Sequence, residues 1–132
     1  MNKVRLLSIF ILVAMLSACG PVVNVTRLSQ AQFRPKAPNA LITAYLTKAP
    51  RCPYEELAII TTSSGSFAGG ADTFVDAMKV EARKLGGDAL LLGEIGTRTE
   101  GYVAVAPNIV AAARGNTMTA VVIRFTNPDC RD

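Results

Sequence analysis

The chain has 132 residues, half of them hydrophobic, and carries a formal net charge of +4 at pH 7. It contains no histidine, which excludes a Ser-His-Asp triad, a Cys-His pair and a zinc site with histidine ligands. The length suits one domain of ordinary size, and the small positive charge predicts no nucleic-acid partner.

Residues 1–18 have the features of a secretory signal peptide. Lys3 and Arg5 precede an apolar run over residues 6–16, and small residues follow it. At about 1.5 Å per residue, the run is too short to cross a hydrocarbon core of about 30 Å as a helix. The ending Leu16-Ser17-Ala18-Cys19 resembles the lipobox of bacterial lipoproteins. The alternative is a plain secretory signal with an incidental cysteine at its cleavage site.

The lipobox resemblance implies where the mature protein would be found. In lipoproteins the cysteine, here Cys19, becomes the first residue and carries a diacylglyceryl group and an acyl chain such as palmitate. Three acyl chains give firm membrane attachment, so the membrane is an expected partner. In that family an Asp after the cysteine favours the inner membrane of a Gram-negative cell. Gly20 stands there instead, which favours the outer membrane, with the protein facing the periplasm.

The next segment, residues 19–40, is predicted to be a tether. It carries Pro21, Pro35 and Pro38 among polar residues. A short strand within it is the alternative. The folded domain is then predicted to span residues 41–132. Its first two strand candidates are residues 41–46 and 57–62, which are rich in strand-forming residues and end at Pro, Gly or Ser clusters.

A helix is predicted over residues 73–85. Asp72 and Thr73 are natural N-cap residues, and Gly86-Gly87 supplies the conformation that ends helices. Apolar residues at helical spacing form one face: Phe74, Val75, Met78, Ala82 and Leu85. The apolar run at residues 89–92 predicts a central strand beneath this helix.

Residues 97–117 predict a hairpin-like excursion, and residues 119–125 a last strand. Within the excursion, a strand at 102–106 is followed by a turn at Pro107-Asn108, and residues 109–113 are either a strand or a short helical piece, with a second turn at Gly115-Asn116. The expected fold is α+β, with one helix packed on a mostly antiparallel sheet in the order ββαβ(β)β.

Two cysteines remain after lipidation of Cys19, and Cys52 and Cys130 are predicted to form a disulfide. An oxidising compartment favours this pairing over two free buried thiols or a metal pair. An antiparallel pairing of strands 57–62 and 120–125 supports it: if Leu57 lies opposite Phe125, the same register brings both cysteines to one end of the sheet.

No catalytic, cofactor-binding or metal-binding residue is predicted. Glu55 and Glu56 are adjacent, so in a strand they point to opposite faces and do not act on one substrate atom. The loop at residues 63–70 lacks the lysine and spacing of a P-loop. Gly86-Gly87-Asp88-Ala89 is explained by chain reversal after the helix. A modest basic patch is expected from Lys79, Arg83 and Lys84.

A wider resemblance covers residues 41–95 and the last strand. The runs Pro50-Arg51-Cys52-Pro53-Tyr54-Glu55-Glu56-Leu57 and Ala82-Arg83-Lys84-Leu85-Gly86-Gly87-Asp88-Ala89-Leu90 are similar to small envelope lipoproteins with a ββαβ-type domain. These include the family of Rcs stress-sensor lipoproteins and the YbjQ-like domains. The resemblance implies a ββαβ-type fold. The expected function is a non-enzymatic binding or sensing module with an envelope protein partner. The alternatives are a structural accessory subunit that forms homo-oligomers and, third, a small hydrolase.

Overall fold

The computed structural model describes residues 20–64, 70–106 and 109–129. In chain order, its elements are β1 (Val22–Arg27), β2 (Thr43–Tyr45), β3 (Tyr54–Ser64), α1 (Ala71–Lys84), β4 (Ala89–Ala106) and β5 (Ile109–Phe125).

The strands form one five-stranded sheet in the order β1-β3-β5-β4-β2. All neighbouring strands are antiparallel except β2 and β4, which are parallel. The predicted α+β class, with one helix packed on a mostly antiparallel sheet, is confirmed. The predicted element order is not, because three strands precede the helix and β4 and β5 are each one long strand.

Helix α1 agrees with the predicted helix to within two residues at each end. Its N-cap is Gly70, which makes no side-chain hydrogen bond, so the prediction of Asp72 or Thr73 as the cap is wrong. The backbone N–H groups of Thr73 and Phe74 instead donate to the Gly70 carbonyl oxygen. The helix ends because Gly86 adopts a φ of +77°, a conformation that is costly for other residues.

The hydrophobic core lies between α1 and one face of the sheet. Phe74, Met78 and Ala82 are the buried residues of α1. They cover alternate positions of the three central strands, where pairing places Ala58 and Leu90 on either side of Val122. All three of these side chains are fully buried. Burial of each large apolar side chain stabilises the fold by about 1.5 to 3 kcal/mol.

Residues 19–40 are not a tether in the part that the structure describes. Strand β1 pairs with β3 along all six of its residues. The sequence signal for β1 was weak because this edge strand has almost no buried positions. Val23 is its one half-buried residue. The domain therefore begins about twenty residues before the predicted boundary at residue 41.

The chain between β1 and β2 crosses the C-terminal end of α1, and we call residues 33–40 the strap. The Lys36 N–H donates to the Arg83 carbonyl oxygen at 2.8 Å. The Arg83 Nε–H in turn donates to the Ala40 carbonyl oxygen at 2.8 Å. Phe33 packs against the core. The strap is therefore held against α1 and the core.

Strands β3 and β5 pair antiparallel as predicted, but the predicted register is wrong. Phe125 pairs with Tyr54, and Leu57 falls in a β-bulge between Glu56 and Ala58. The bulge adds an unpaired residue to β3 and shifts the pairing. The predicted turn at Gly115-Asn116 is also wrong, because both residues continue β5. The predicted turn at Pro107-Asn108 lies outside the described residues.

Candidate functional site

The predicted lipidation and disulfide residues are only partly within the described chain. Cys19 and Cys130 lie outside it. Cys52 is 2% exposed and disulfide-bonded, and both other cysteines of the chain are outside the described residues. The Thr126 N–H and hydroxyl donate to the Pro53 carbonyl oxygen at 3.0 and 3.2 Å. These bonds hold the chain beside Cys52 next to the end of β5. The Cys52–Cys130 pairing stays a prediction.

The junction between α1 and β4 is occupied by internal contacts. A Cβ at Gly87 would lie 2.4 Å from the Val122 side chain, so only glycine fits there. Asp88 forms an ion pair with Lys36 of the strap, and its Oδ2 accepts a hydrogen bond from the Phe125 N–H at 2.9 Å. The interpretation of this motif as structural is consistent with these contacts.

The other candidate polar groups are dispersed. Glu55 and Glu56 are consecutive in β3, where alternate residues face opposite sides of the sheet. In the predicted basic patch, Lys84 pairs with Glu81 at 2.6 Å, so this patch is partly neutralised. No group of three potential metal ligands exists within residues 20–64, 70–106 and 109–129.

An exposed cleft lies where β2 ends beside β4. It has a volume of about 530 Å³, and we call it the edge cleft; its lining residues are Leu46, Thr47, Leu92, Gly93, Glu94 and Ile95. The last pair between β2 and β4 joins Tyr45 to Leu91, so β4 has no strand neighbour on this side from Leu92 onward in the described sheet. Leu46 is 68% exposed and Ile95 is 55% exposed. The cleft thus combines a free strand edge with exposed apolar side chains.

A β-bulge shapes this cleft. The pairing of β4 with β5 shifts between Leu92 and Ile95. At Gly93 the two strands are so close that a Cβ would lie 2.9 Å from the Thr119 carbonyl oxygen. Sequence reasoning missed the cleft because the strand predicted at residues 89–92 ends before Gly93. Isolated glycines within a strand also mark bulges, and that was the available signal.

Beyond the sheet, β4 and β5 continue as a two-stranded ribbon. Strand β3 makes its last pair with β5 between Ser64 and Asn116. From the Arg98–Gly115 pair to the Ala106–Ile109 pair, β4 and β5 pair only with each other in the described chain. We call residues 98–106 and 109–115 the arm. Residues 101–113 contain no charged residue.

Comparison of the chain with protein-family models, curated proteins and solved structures finds no match. Within the described residues, no helix has the length and hydrophobicity needed to cross a membrane. Function is therefore inferred from the residues and their geometry.

Proposed function

We propose that this chain is a bacterial envelope lipoprotein without enzymatic activity. Acylated Cys19 anchors it in the outer membrane, and it acts as a binding or sensing module that faces the periplasm. The sequence Leu16-Ser17-Ala18-Cys19 after a short apolar run supports the proposed lipid anchor. Gly20 supports the proposed sorting to the outer membrane. The absence of histidine and the opposed side chains of Glu55 and Glu56 favour binding over catalysis.

The edge cleft is the observation that carries the binding role. Its free β4 edge presents backbone N–H and C=O groups, and an extended peptide segment can add to such an edge as a further strand. Leu46 and Ile95 beside it would contact apolar side chains of that segment. The partner is therefore an extended segment of another envelope protein. The structural accessory subunit is the second candidate, since the same edge can pair with a second copy.

The anchor is tested with Cys19→Ser in a Gram-negative host. The variant should lose labelling by a fatty-acid analogue and accumulate as uncleaved precursor in the inner membrane. Gly20→Asp should keep its label and move towards the inner-membrane fraction. Equal labelling of the wild type and Cys19→Ser would exclude lipidation at this residue.

The binding role is tested by crosslinking in intact cells from a photoreactive amino acid placed at Thr47, which lines the edge cleft. We expect one stoichiometric adduct with another envelope protein, and its loss in Ile95→Asp. Val80→Asp is the matched control, because Val80 is a 46% exposed apolar residue on α1, outside the cleft. Adducts between copies of this chain alone would support the accessory-subunit candidate instead.

A further inference from the structure

The arm leaves the sheet at the same end as the N-terminal chain. One row of paired residues crosses four strands: Val22 of β1, Ser63 of β3, Thr117 of β5 and Gly96 of β4. β1 and β4 run in opposite directions along this sheet. The chain before Val22 and the arm after Gly96 therefore both extend from this row past the same end of the sheet.

The distances along the chain then relate the arm to the anchor. Cys19 is three residues before Val22, so at about 3.3 to 3.6 Å per residue it lies within roughly 10 Å of the row. On β5, Ala113 is four residues from Thr117 and Ile109 is eight, which places them about 13 and 26 Å beyond the row at about 3.3 Å per residue. The arm thus reaches beyond the level of Cys19.

The arm changes from charged to uncharged residues near the level of Cys19. Arg98, Glu100 and Arg114 lie at its base, and the uncharged residues 101–106 and 109–113 lie further out. A polar base at headgroup depth and an uncharged outer part at greater depth match the polarity gradient of a bilayer interface.

We infer that the arm inserts into the membrane leaflet that holds the acylated Cys19. This inference rests on the proposed function, since it requires the anchor. The outer edges of the arm have backbone N–H and C=O groups without strand partners in the described chain. Such groups are not tolerated in dry hydrocarbon, so the arm is inclined to the membrane and lies in the headgroup and upper acyl region, where water and headgroups solvate them. The lipid anchor and the arm together orient the domain on the membrane.

The chain contains no tryptophan, so a single introduced tryptophan reports its own environment. Ala104→Trp places the reporter in the arm, and Tyr54→Trp places it at the opposite end of the sheet. The full chain, processed in a Gram-negative host, is reconstituted into vesicles of phosphatidylethanolamine and phosphatidylglycerol with brominated acyl chains. We expect blue-shifted emission and strong bromine quenching for Ala104→Trp, and neither for Tyr54→Trp.

A charge in the arm should weaken the quenching. Val103→Asp added to Ala104→Trp should remove most of it while the lipid anchor keeps the protein on the vesicles. Thr119→Asp is the matched control, because Thr119 is exposed on β5 outside the arm, and it should leave the quenching unchanged.

Acylation is measured separately by intact mass, which distinguishes the two proposals. Acylated, vesicle-bound protein with unquenched, unshifted Ala104→Trp emission would overturn the insertion alone. Blue-shifted but unquenched emission, with crosslinks between copies, would assign the arm to a second copy and also overturn insertion. Protein that is never acylated would overturn the proposed function and, with it, this inference.

Discussion

Strands β4 and β5 pass through two different environments, and the contrast shows what holds each region together. Under α1 the side chains that belong to the core are fully buried, as at Leu90 and Val122, and both strands have neighbours in the sheet. In the arm the same strands have only each other. A ribbon of two strands is marginal in water by itself. The arm therefore depends on a further contact or on its continuity with α1 and the strand segments beneath it, residues 89–92 and 118–125, which we call the covered region.

One hairpin thus contains a part that stabilises the fold and a part that is available for contact with another molecule. The covered region contains the core and is bonded to the strap, whereas the arm contributes the backbone pairing of β4 with β5. Regions with few neighbouring elements open locally at low free-energy cost and serve binding in many proteins. Substitutions in the covered region should therefore cost more stability than changes in the arm.

Loss of the Cys52 disulfide should lower the free energy of unfolding the most. Cys52→Ala opens a loop of roughly eighty residues if the partner is Cys130, and the chain-entropy model gives a loss of about 4 to 5 kcal/mol. Urea unfolding of the oxidised wild type and the variant measures it, with reduced wild type as the control. Thiol labelling of the oxidised wild type should find no reactive cysteine. Free thiols at both positions in protein taken from the periplasm would contradict the pairing.

Loss of the Asp88 carboxylate should cause the next loss of stability in size, because this group joins the strap and β5. Asp88→Ala removes the bond to the Phe125 N–H as well as the ion pair with Lys36. Hydrogen bonds to charged groups contribute about 1.5 to 3 kcal/mol, and the Asp88 side chain is 26% exposed, so the lower part of that range is expected for the free energy of unfolding.

Lys36→Ala is the matched control for Asp88→Ala. It removes the ion pair and keeps the bond to β5, and a partly exposed pair is worth about 0 to 1 kcal/mol. Equal destabilisation of both variants in urea unfolding would show that the backbone bond contributes nothing, and that the strap alone depends on Asp88.

Excision of the arm should have the smallest effect on stability. Thr99 pairs with Arg114, so Asn-Gly in place of residues 100–113 closes a two-residue hairpin there. We expect a change below about 1 kcal/mol in the free energy of unfolding, because a two-stranded ribbon is only marginally stable. Phe74→Ala, in the covered region, should cost about 3 to 5 kcal/mol. Similar losses in the two variants would refute the division between the regions.

Local signals predicted helix α1 and its buried face well. The spacing of Phe74, Met78 and Ala82 and the glycines after Leu85 depend on neighbours within a few residues, and the structure buries these three side chains. The strands at 57–62 and 89–92 were likewise found, although β3 and β4 extend beyond them. The N-cap was missed because Gly70 uses its backbone carbonyl oxygen and not a side chain.

The candidate site was less accessible to sequence reasoning. The edge cleft exists because β2 stops at Tyr45 while β4 continues, and this difference in length appears only after the two strands pair. The hairpin-like excursion was anticipated as a pattern, but the continuity of β5 through Gly115 and Asn116 was not. Turn-forming residues are tolerated in a strand when its partners hold it.

Residue type and local spacing were enough to predict the helix, the α+β class, and a signal and anchor at Cys19. Long-range pairing alone set the place of β1 and the strap in the fold, the register of β3 on β5, and the common end of the sheet from which the N-terminal chain and the arm depart. These features depend on pairings between residues far apart in the chain, where one bulge shifts every later partner.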